Sequence, residues 1–446
     1  MRITIIGAGP GGYETAVLAA KKGAEVTIIT DGPLGGTCLN EGCIPTKTFC
    51  RSAEVAETVR RAGEFGVSVP SFEFDMARAV ARKDEVVEQL RSGVAALLSG
   101  KNITLVRGHA SLKDSHTVSV GGTLIGSDYI IIATGSYTAM LPVPGCRLPG
   151  VITSTEILDL QDLPKRLCII GAGVIGIEFA SIFRGFGSEV QMVEFRKEIL
   201  PHFDSDMAKR LRLALGKRGI GIEINAAVQS VEEGEGGLTV TYVKKGKEAR
   251  VEADKVVMAV GRKPNTSSLN LDDLGIAYTP LGITVDGDMR TNVHSIFAIG
   301  DVCGGYMLAH TAVAQGKRAL AAIFGEECGI DLSIVPAAVF CQPEAASVGL
   351  TEDQCKEADI AVRVLKSFFR ANGKAVSMGE ADGFCKILVG DAGKIVGCHI
   401  LGPHASDIIQ EVAALMAVGA GIEDLKDVIH SHPTVGEVIL AAAQMY

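Results

Sequence analysis

The chain has 446 residues, 47% of them hydrophobic and 21% charged, with 53 glycines and no tryptophan. That length exceeds what one hydrophobic core usually organises, so two to four domains are expected. The net charge of −9 disfavours nucleic acid and anionic membrane surfaces as partners, and no uncharged apolar run reaches the ~18 residues of a membrane span.

Met1 leads into "RITIIGAG", which reads as a strand and a glycine turn rather than a signal peptide, so a cytoplasmic location is expected. The segment Ile5–Thr30 continues as a G-x-G-x-x-G turn (Gly7, Gly9, Gly12), a helical stretch and a second strand. It aligns without a gap on Ile169–Glu194, at an offset of 164 residues, where the glycines are Gly171, Gly173 and Gly176. Each copy is a βαβ dinucleotide-binding unit. The first glycine makes the tight turn, the second admits a pyrophosphate to the backbone N–H groups, and the third lets helix and strand pack closely. The helix N-terminus adds partial positive charge for the phosphates.

The residue ending each unit's second strand selects the ligand, because a carboxylate there binds ribose hydroxyls. Glu194 holds that place in the second copy and would repel a 2′-phosphate, which favours NAD over NADP; Arg196 and Lys197 lie close by. In the first copy the place belongs to Thr30, and Asp31 follows. Either Asp31 reaches the ribose from a shifted position or that bond is weaker there.

Between the copies lies "GGTCLNEGCIPTK" (Gly35–Lys47), with two of the eleven cysteines five positions apart. The others are scattered, most in apolar contexts, and read as small buried hydrophobes. Cys38 and Cys43 could be a metal clasp, a structural crosslink or a redox pair. Five residues of regular helix rise about 7.5 Å, beyond the roughly 4.4–6.8 Å Cα separation of a disulfide, so a crosslinked segment has to bend, and Gly42 can supply the bend. The following "IPTKTFCRSAEVAETVRRA" reads as helix and places Cys43 near its N-terminus, where the dipole favours a thiolate.

Further on, "IIIATGS", "MAVGRKPNT" and "RTNVHSIFAIGDV" read as buried strands ending in turns. They predict a first nucleotide domain at 1–143 and 263–334, interrupted by a second at 144–262. From about Pro336 short alternating strands precede helical patterns. One helix carries Ile408 or Ile409, Val412 and Leu415 or Met416 on one face, and a third domain is expected at 335–446. Its "HSHPTVGEV" contains Thr434-x-x-Glu437, a capping-box pattern that would start the last helix.

The series "GAGPGG", "GGTCLNEGCIPTK", "ATGS", "GAGVIGIE", "AVGRKPN", "AIGDV", "MLAH", "PEAASVGLTE" and "HSHPTVGE" resembles the pyridine nucleotide–disulfide oxidoreductases, most closely their dihydrolipoamide dehydrogenase branch. The resemblance spans essentially the whole chain. It implies an α/β fold with two Rossmann-like FAD/NAD(P)-binding domains, the second inserted in the first, plus a C-terminal α+β dimerisation domain. FAD would lie against Gly7, Gly9, Gly12, Asp31, Gly36, Thr37, Lys47, Ala110, Thr134, Gly135, Ser136, Asp301 and Ala309, with His310 framing the site. NAD would lie against Gly171, Gly173, Ile175, Gly176, Glu178, Glu194, Val228 and Gly261.

A metal clasp is disfavoured by poor ligand spacing and a static crosslink by compartment, which leaves a redox disulfide and no metal site. By resemblance Cys38 exchanges with substrate, Cys43 faces the flavin, and Lys47 pairs with Glu178 beside the flavin ring. His432 would be the base, oriented by Glu437 and acting on the other subunit of a homodimer, while His430 is structural. The implied reaction oxidises protein-bound dihydrolipoamide. The lipoyl partner would belong to a 2-oxoacid dehydrogenase complex, a glycine-cleavage H-protein or a similar protein. The alternative is another disulfide reductase or a mercuric-type metal-ion reductase, but no cysteine follows Cys398 to deliver an ion. Gly436, where a serine is common, is a further departure from the family pattern.

Overall fold

A computed structural model describes residues 1–446. The chain divides into two compact units, the first comprising 1–48, 77–139 and 261–332, the second 49–76, 140–260 and 333–446. This division differs in outline from the segments expected from sequence. Residues 144–260 share a unit with 335–446, and residues 49–76 join them. Packing accounts for the latter: Phe49 and Phe74 both contact the ring of Phe186, and Gly185 is so close to Ala53 that a Cβ there would lie 2.8 Å from the alanine methyl.

In the first unit, strands β1 (Arg2–Ile6), β2 (Glu25–Thr30) and β3 (Ile103–Arg107) join Tyr129–Ile132 and Ile296–Ala298 in a parallel sheet. Its order is 296–298, 129–132, β1, β2, β3. Runs such as Ile3, Ile5, Ile28 and Ile131 are fully buried because helices cover the sheet, as a parallel sheet requires. Helix α1 (Pro10–Lys21) crosses from β1 to β2, and it also packs against a later helix that begins at Ala309.

The internal repeat is structural to the residue. Arg166–Ile170, helix Val174–Phe186 and Glu189–Val193 repeat β1, α1 and β2, with Arg166 opposite Glu189 as Arg2 is opposite Glu25. These strands lie in a second parallel sheet, of order 220–223, 189–193, 166–170, 255–258, 151–153. Residues 335–446 build a third sheet, antiparallel, covered by helices that include Ala405–Ala417, which buries Ile409, Val412 and Ala413.

Within the second unit one polar cluster is built on a fully buried pair, Lys386 and Asp204, with half-buried Glu352 beside it. Lys386 Nζ lies 2.8 Å from Asp204 and 2.6 Å from Glu352. Asp204 also caps helix Ser205–Lys217 through the N–H groups of Asp206 and Met207. Beside it, buried His399 donates from Nε2 to the Leu350 carbonyl and accepts at Nδ1 from Ser347 Oγ. Burial keeps the ring neutral by pushing its pKa down to about 4, against the opposing pull of Asp204 and the Leu350 carbonyl. A histidine with a lowered folded pKa stabilises above its unfolded pKa, about 6.5, and loses that contribution as pH falls toward about 4. We predict that stability declines over this window, with His399 contributing at most ~1.4 kcal/mol per pH unit. Denaturant melts at pH 7, 6 and 5 check it, and His399→Gln should remove that part of the slope.

Candidate active site

The two glycine turns have the same backbone. Gly7 and Gly171 have φ of +112° and +104°, and a Cβ on either would lie 2.1 Å from the Ala133 oxygen or 2.4 Å from that of Ala259. A Cβ on Gly12 or Gly176 would strike the oxygen of Gly7 or Gly171 at 1.9 and 2.1 Å. No side chain fits there, whereas Gly173 faces open space, as a phosphate-receiving turn should. Both cradles therefore suit a dinucleotide. They differ at one place: beside Gly9 the chain folds back so closely that a Cβ on Gly36 would sit 2.6 Å from the Gly9 Cα.

Gly36 (φ +58°) starts helix α2 (Gly36–Asn40), which carries Thr37 and Cys38. The helix ends at Glu41, and after Gly42 the chain starts again as α3 (Cys43–Arg60). This break is the bend that the cysteine spacing demands. Both sulfurs are free thiols here, and they are hydrogen-bonded to each other. That bond to Cys43, with burial, pushes the Cys38 thiol up, against the opposing influence of the Lys47 cation. Cys43 lies on the first residue of α3, where the helix dipole favours a thiolate.

Around this motif the first unit gathers most of the other expected flavin residues. Asp301, in the turn after Ile296–Ala298, accepts from Ser136 Oγ at 2.5 Å. Thr134 Oγ1 donates to the Asn265 carbonyl at 2.7 Å, Gly135 adopts φ +71°, and Ala110 opens the strand Ala110–Asp114. Ala309 begins the helix Ala309–Phe324, with His310 second. Sequence reasoning missed Arg262, whose Nε and Nη2 donate to Ser136 Oγ and O, both at 2.7 Å. Burial lowers its pKa while Asp301, Glu41 and Cys43 oppose that shift. The only sequence signal was its place in "AVGRKPN", beside Gly261.

Thr30 and Asp31 have different surroundings. Thr30 is buried, and its Oγ1 accepts from Gly32 N, as Glu194 accepts from Arg196 N in the repeat. Asp31 is exposed, and its Oδ2 accepts from Nδ1 of His109, whose Nε2 meets Ser268 Oγ at 2.5 Å. His109 follows β3 directly beside β2, so the sheet register brings it there.

In the second unit Glu194 is buried at the end of Glu189–Val193. Its Oε2 accepts from Ala172 N at 2.5 Å and Oε1 from Arg196 N at 2.6 Å, which leaves one lone pair on each for a ribose hydroxyl. Ile175 and Glu178 lie in the first turns of helix Val174–Phe186, and Glu178 accepts from Phe340 N at 3.0 Å. Val228 lies at a bulge of strand Ala226–Gly234. Lys47 belongs to the first unit and Glu178 to the second.

At the C-terminus Glu437 begins the helix Glu437–Ala443, and its Oε2 accepts from Thr434 N at 2.8 Å, the bond that the capping pattern predicts. Its Oε1 accepts from His432 Nδ1 at 2.9 Å. The Thr434 N–H and the His432 bond together hold this carboxyl below the usual range, so it stays ionised at neutral pH. A proton on Nδ1 leaves Nε2 of His432 as an acceptor, on a side chain 80% exposed. His430 turns away, with Nε2 2.9 Å from Glu411 and Nδ1 near the Val428 carbonyl.

Two dinucleotide cradles, one with a cysteine pair folded against it, define a flavin- and nicotinamide-using disulfide oxidoreductase. The chain belongs to the pyridine nucleotide-disulphide oxidoreductase family, whose profile matches residues 1–316, while the family's dimerisation domain matches residues 335–443. Relatives include the dihydrolipoyl dehydrogenases of Geobacillus stearothermophilus, 40% identical, and Bacillus subtilis, 41% identical, each match covering 99% of this chain and 95% of the relative. Among solved structures, LpdA from Mycobacterium tuberculosis superposes with a TM-score of 0.91 at 28% identity, covering 100% of this chain and 99% of that one. The HOCl-induced flavoprotein disulfide reductase RclA from Escherichia coli gives 0.88 at 31% identity, with both chains fully covered. No helix is long and apolar enough to cross a membrane.

Proposed function

We propose that this chain is a dihydrolipoyl dehydrogenase that oxidises a protein-bound dihydrolipoyl group with FAD and NAD, acting as a homodimer. The observation that carries the reading is the Cys38–Cys43 pair, with Cys43 at the start of α3, folded against the first dinucleotide turn. The lipoyl partner would be a subunit of a 2-oxoacid dehydrogenase complex, a glycine-cleavage H-protein or a similar carrier, met in the cytoplasm.

FAD, when bound, takes an electron pair from a dithiol and hands it to NAD⁺ as hydride. The flavin residues of the first unit and the nicotinamide residues of the second hold the two cofactors. The protein's own residues handle sulfur and protons. Nε2 of His432 takes a proton from the substrate dithiol, and Glu437 stabilises the imidazolium and fixes the ring. The substrate thiolate attacks the Cys38 sulfur, the Cys38–Cys43 bond breaks, and Cys43 leaves as thiolate. The second substrate sulfur then displaces Cys38, closing the substrate disulfide and leaving a dithiol in the protein. By the family pattern His432 serves the active site of the opposite subunit. Lys47 supplies positive charge beside the sulfurs, and Glu178 is its proposed counter-ion.

The deciding experiment is steady-state kinetics with NAD⁺ and NADP⁺ against free dihydrolipoamide, lipoyl domains and glutathione. Turnover with lipoyl substrates and NAD⁺ is expected. Reduction of glutathione disulfide with NADPH, and no lipoyl activity, would overturn the reading. Because Glu194 would face a 2′-phosphate at close range, NAD⁺ should be preferred to NADP⁺ by roughly 100-fold in kcat/KM. Glu194→Gln should narrow that ratio about tenfold, mainly by weakening NAD⁺. An unchanged ratio would remove Glu194 from nucleotide selection.

A further inference from the structure

The seven-residue strap that carries Cys38 is tied at both ends by one side chain. Asn40 Nδ2 donates to the Leu34 carbonyl and to the Gly36 carbonyl, both at 2.9 Å. Its Oδ1 faces the other way and accepts two N–H groups of Arg91, from Nε at 3.0 Å and Nη2 at 2.8 Å. Arg91 lies on the 23-residue helix α4 (Met76–Leu98), and its remaining Nη1 meets Glu88 at 2.6 Å. The amide of Asn40 is therefore saturated, with both donors and the acceptor oxygen in use. Its acceptor bonds are charge-assisted, which makes them the stronger kind.

We propose that Arg91 is a positioning residue for the redox chemistry: through Asn40 it locks the strap 34–40 so that Cys38 stays in bonding position for Cys43 in both redox states. This rests on the reading of Cys38 and Cys43 as the redox pair. Two successive left-handed glycines, Gly35 at φ +92° and Gly36 at φ +58°, cap and begin α2, and a helix of five residues has little stability of its own. Leu34 and Leu39 are its two buried side chains, and fixing the polar face between them takes a contact from outside the strap. Every bond of the clamp is made by atoms other than the two sulfurs, so none of them is broken when the disulfide opens. A strap held this way denies the dithiol form conformational freedom that it would otherwise gain when the disulfide opens. The clamp therefore favours the closed disulfide, as preorganisation favours any intramolecular bond.

The test equilibrates the flavin-loaded protein without oxygen in dithiothreitol buffers. One disulfide breaks in the protein as one forms in the reagent, with two electrons and two protons exchanged. Alkylation and peptide mapping at Cys38 and Cys43 read the position of equilibrium. Arg91→Met should shift it toward dithiol by about fivefold and lower kcat with dihydrolipoamide while leaving KM within twofold. Asn40→Ala should do the same or more. Arg91→Lys, which keeps the charge and one donor to Asn40, should recover part of the shift. An unshifted equilibrium in Arg91→Met, in a protein whose wild type does form the Cys38–Cys43 disulfide, overturns the positioning role alone. A change in KM only would do so too, and would assign Arg91 to contact with the lipoyl protein. Failure of the wild type to form the disulfide would overturn the redox-pair reading and this inference with it.

Discussion

Cys38→Ser is expected to abolish turnover, by roughly four orders of magnitude or more, while the protein keeps its flavin and a long-wavelength thiolate–flavin absorption. The reason lies in the division of labour between the sulfurs. A serine at 38 cannot form the disulfide that the substrate dithiol must attack, so electrons have no covalent route into the protein. Cys43 keeps its place at the head of α3, where the helix dipole favours its thiolate. Cys43→Ser should lose turnover as completely and lose the absorption as well. Visible spectra of the two purified variants, with a rate assay, decide the matter. If the band vanishes in Cys38→Ser and persists in Cys43→Ser, the two roles are reversed.

The second large effect is at the C-terminus. His432→Gln should reduce kcat/KM for dihydrolipoamide by about 10²- to 10⁴-fold, the usual worth of a positioned general base. Oxidation of NADH by a small artificial electron acceptor should survive, since it needs no proton taken from a dithiol. Glu437→Gln should cost less, because the amide oxygen can still accept from His432 Nδ1 but no longer stabilises a charged ring. The pH profile separates this from a structural role. The kcat/KM-against-pH curve of His432→Gln should differ in shape from the wild type's, and an identical shape would point to a merely structural role for His432.

Much of this was legible in the chain. The repeat at offset 164 is written in glycines that no side chain can replace, since a Cβ at Gly7 or Gly12 would collide with backbone. The cysteine spacing required a bend, and the bend lies at Glu41–Gly42. Thr434-x-x-Glu437 marked the last helix to within a turn: Thr434 N donates to Glu437, but Gly436 is the N-cap and Thr434 Oγ1 bonds the Ser431 carbonyl instead. Each of these signals is local: it depends on a few consecutive residues and the conformations open to them.

Other features had no local signature. Arg262 reaches Ser136 from 126 positions away, His109 meets Asp31 across 78, and Arg91 finds Asn40 across 51. Lys386 and Asp204 are buried together although 182 positions apart. The grouping of residues 49–76 with the second unit rests on aromatic packing that periodicity does not encode. By itself the sequence determined two dinucleotide turns, a bent cysteine pair and a capped histidine, because glycine sterics, disulfide geometry and capping act over a turn of chain. Only the tertiary structure decided which distant side chains hold those parts still, because a hydrogen bond or ion pair is set by the register of sheets and the packing of helices.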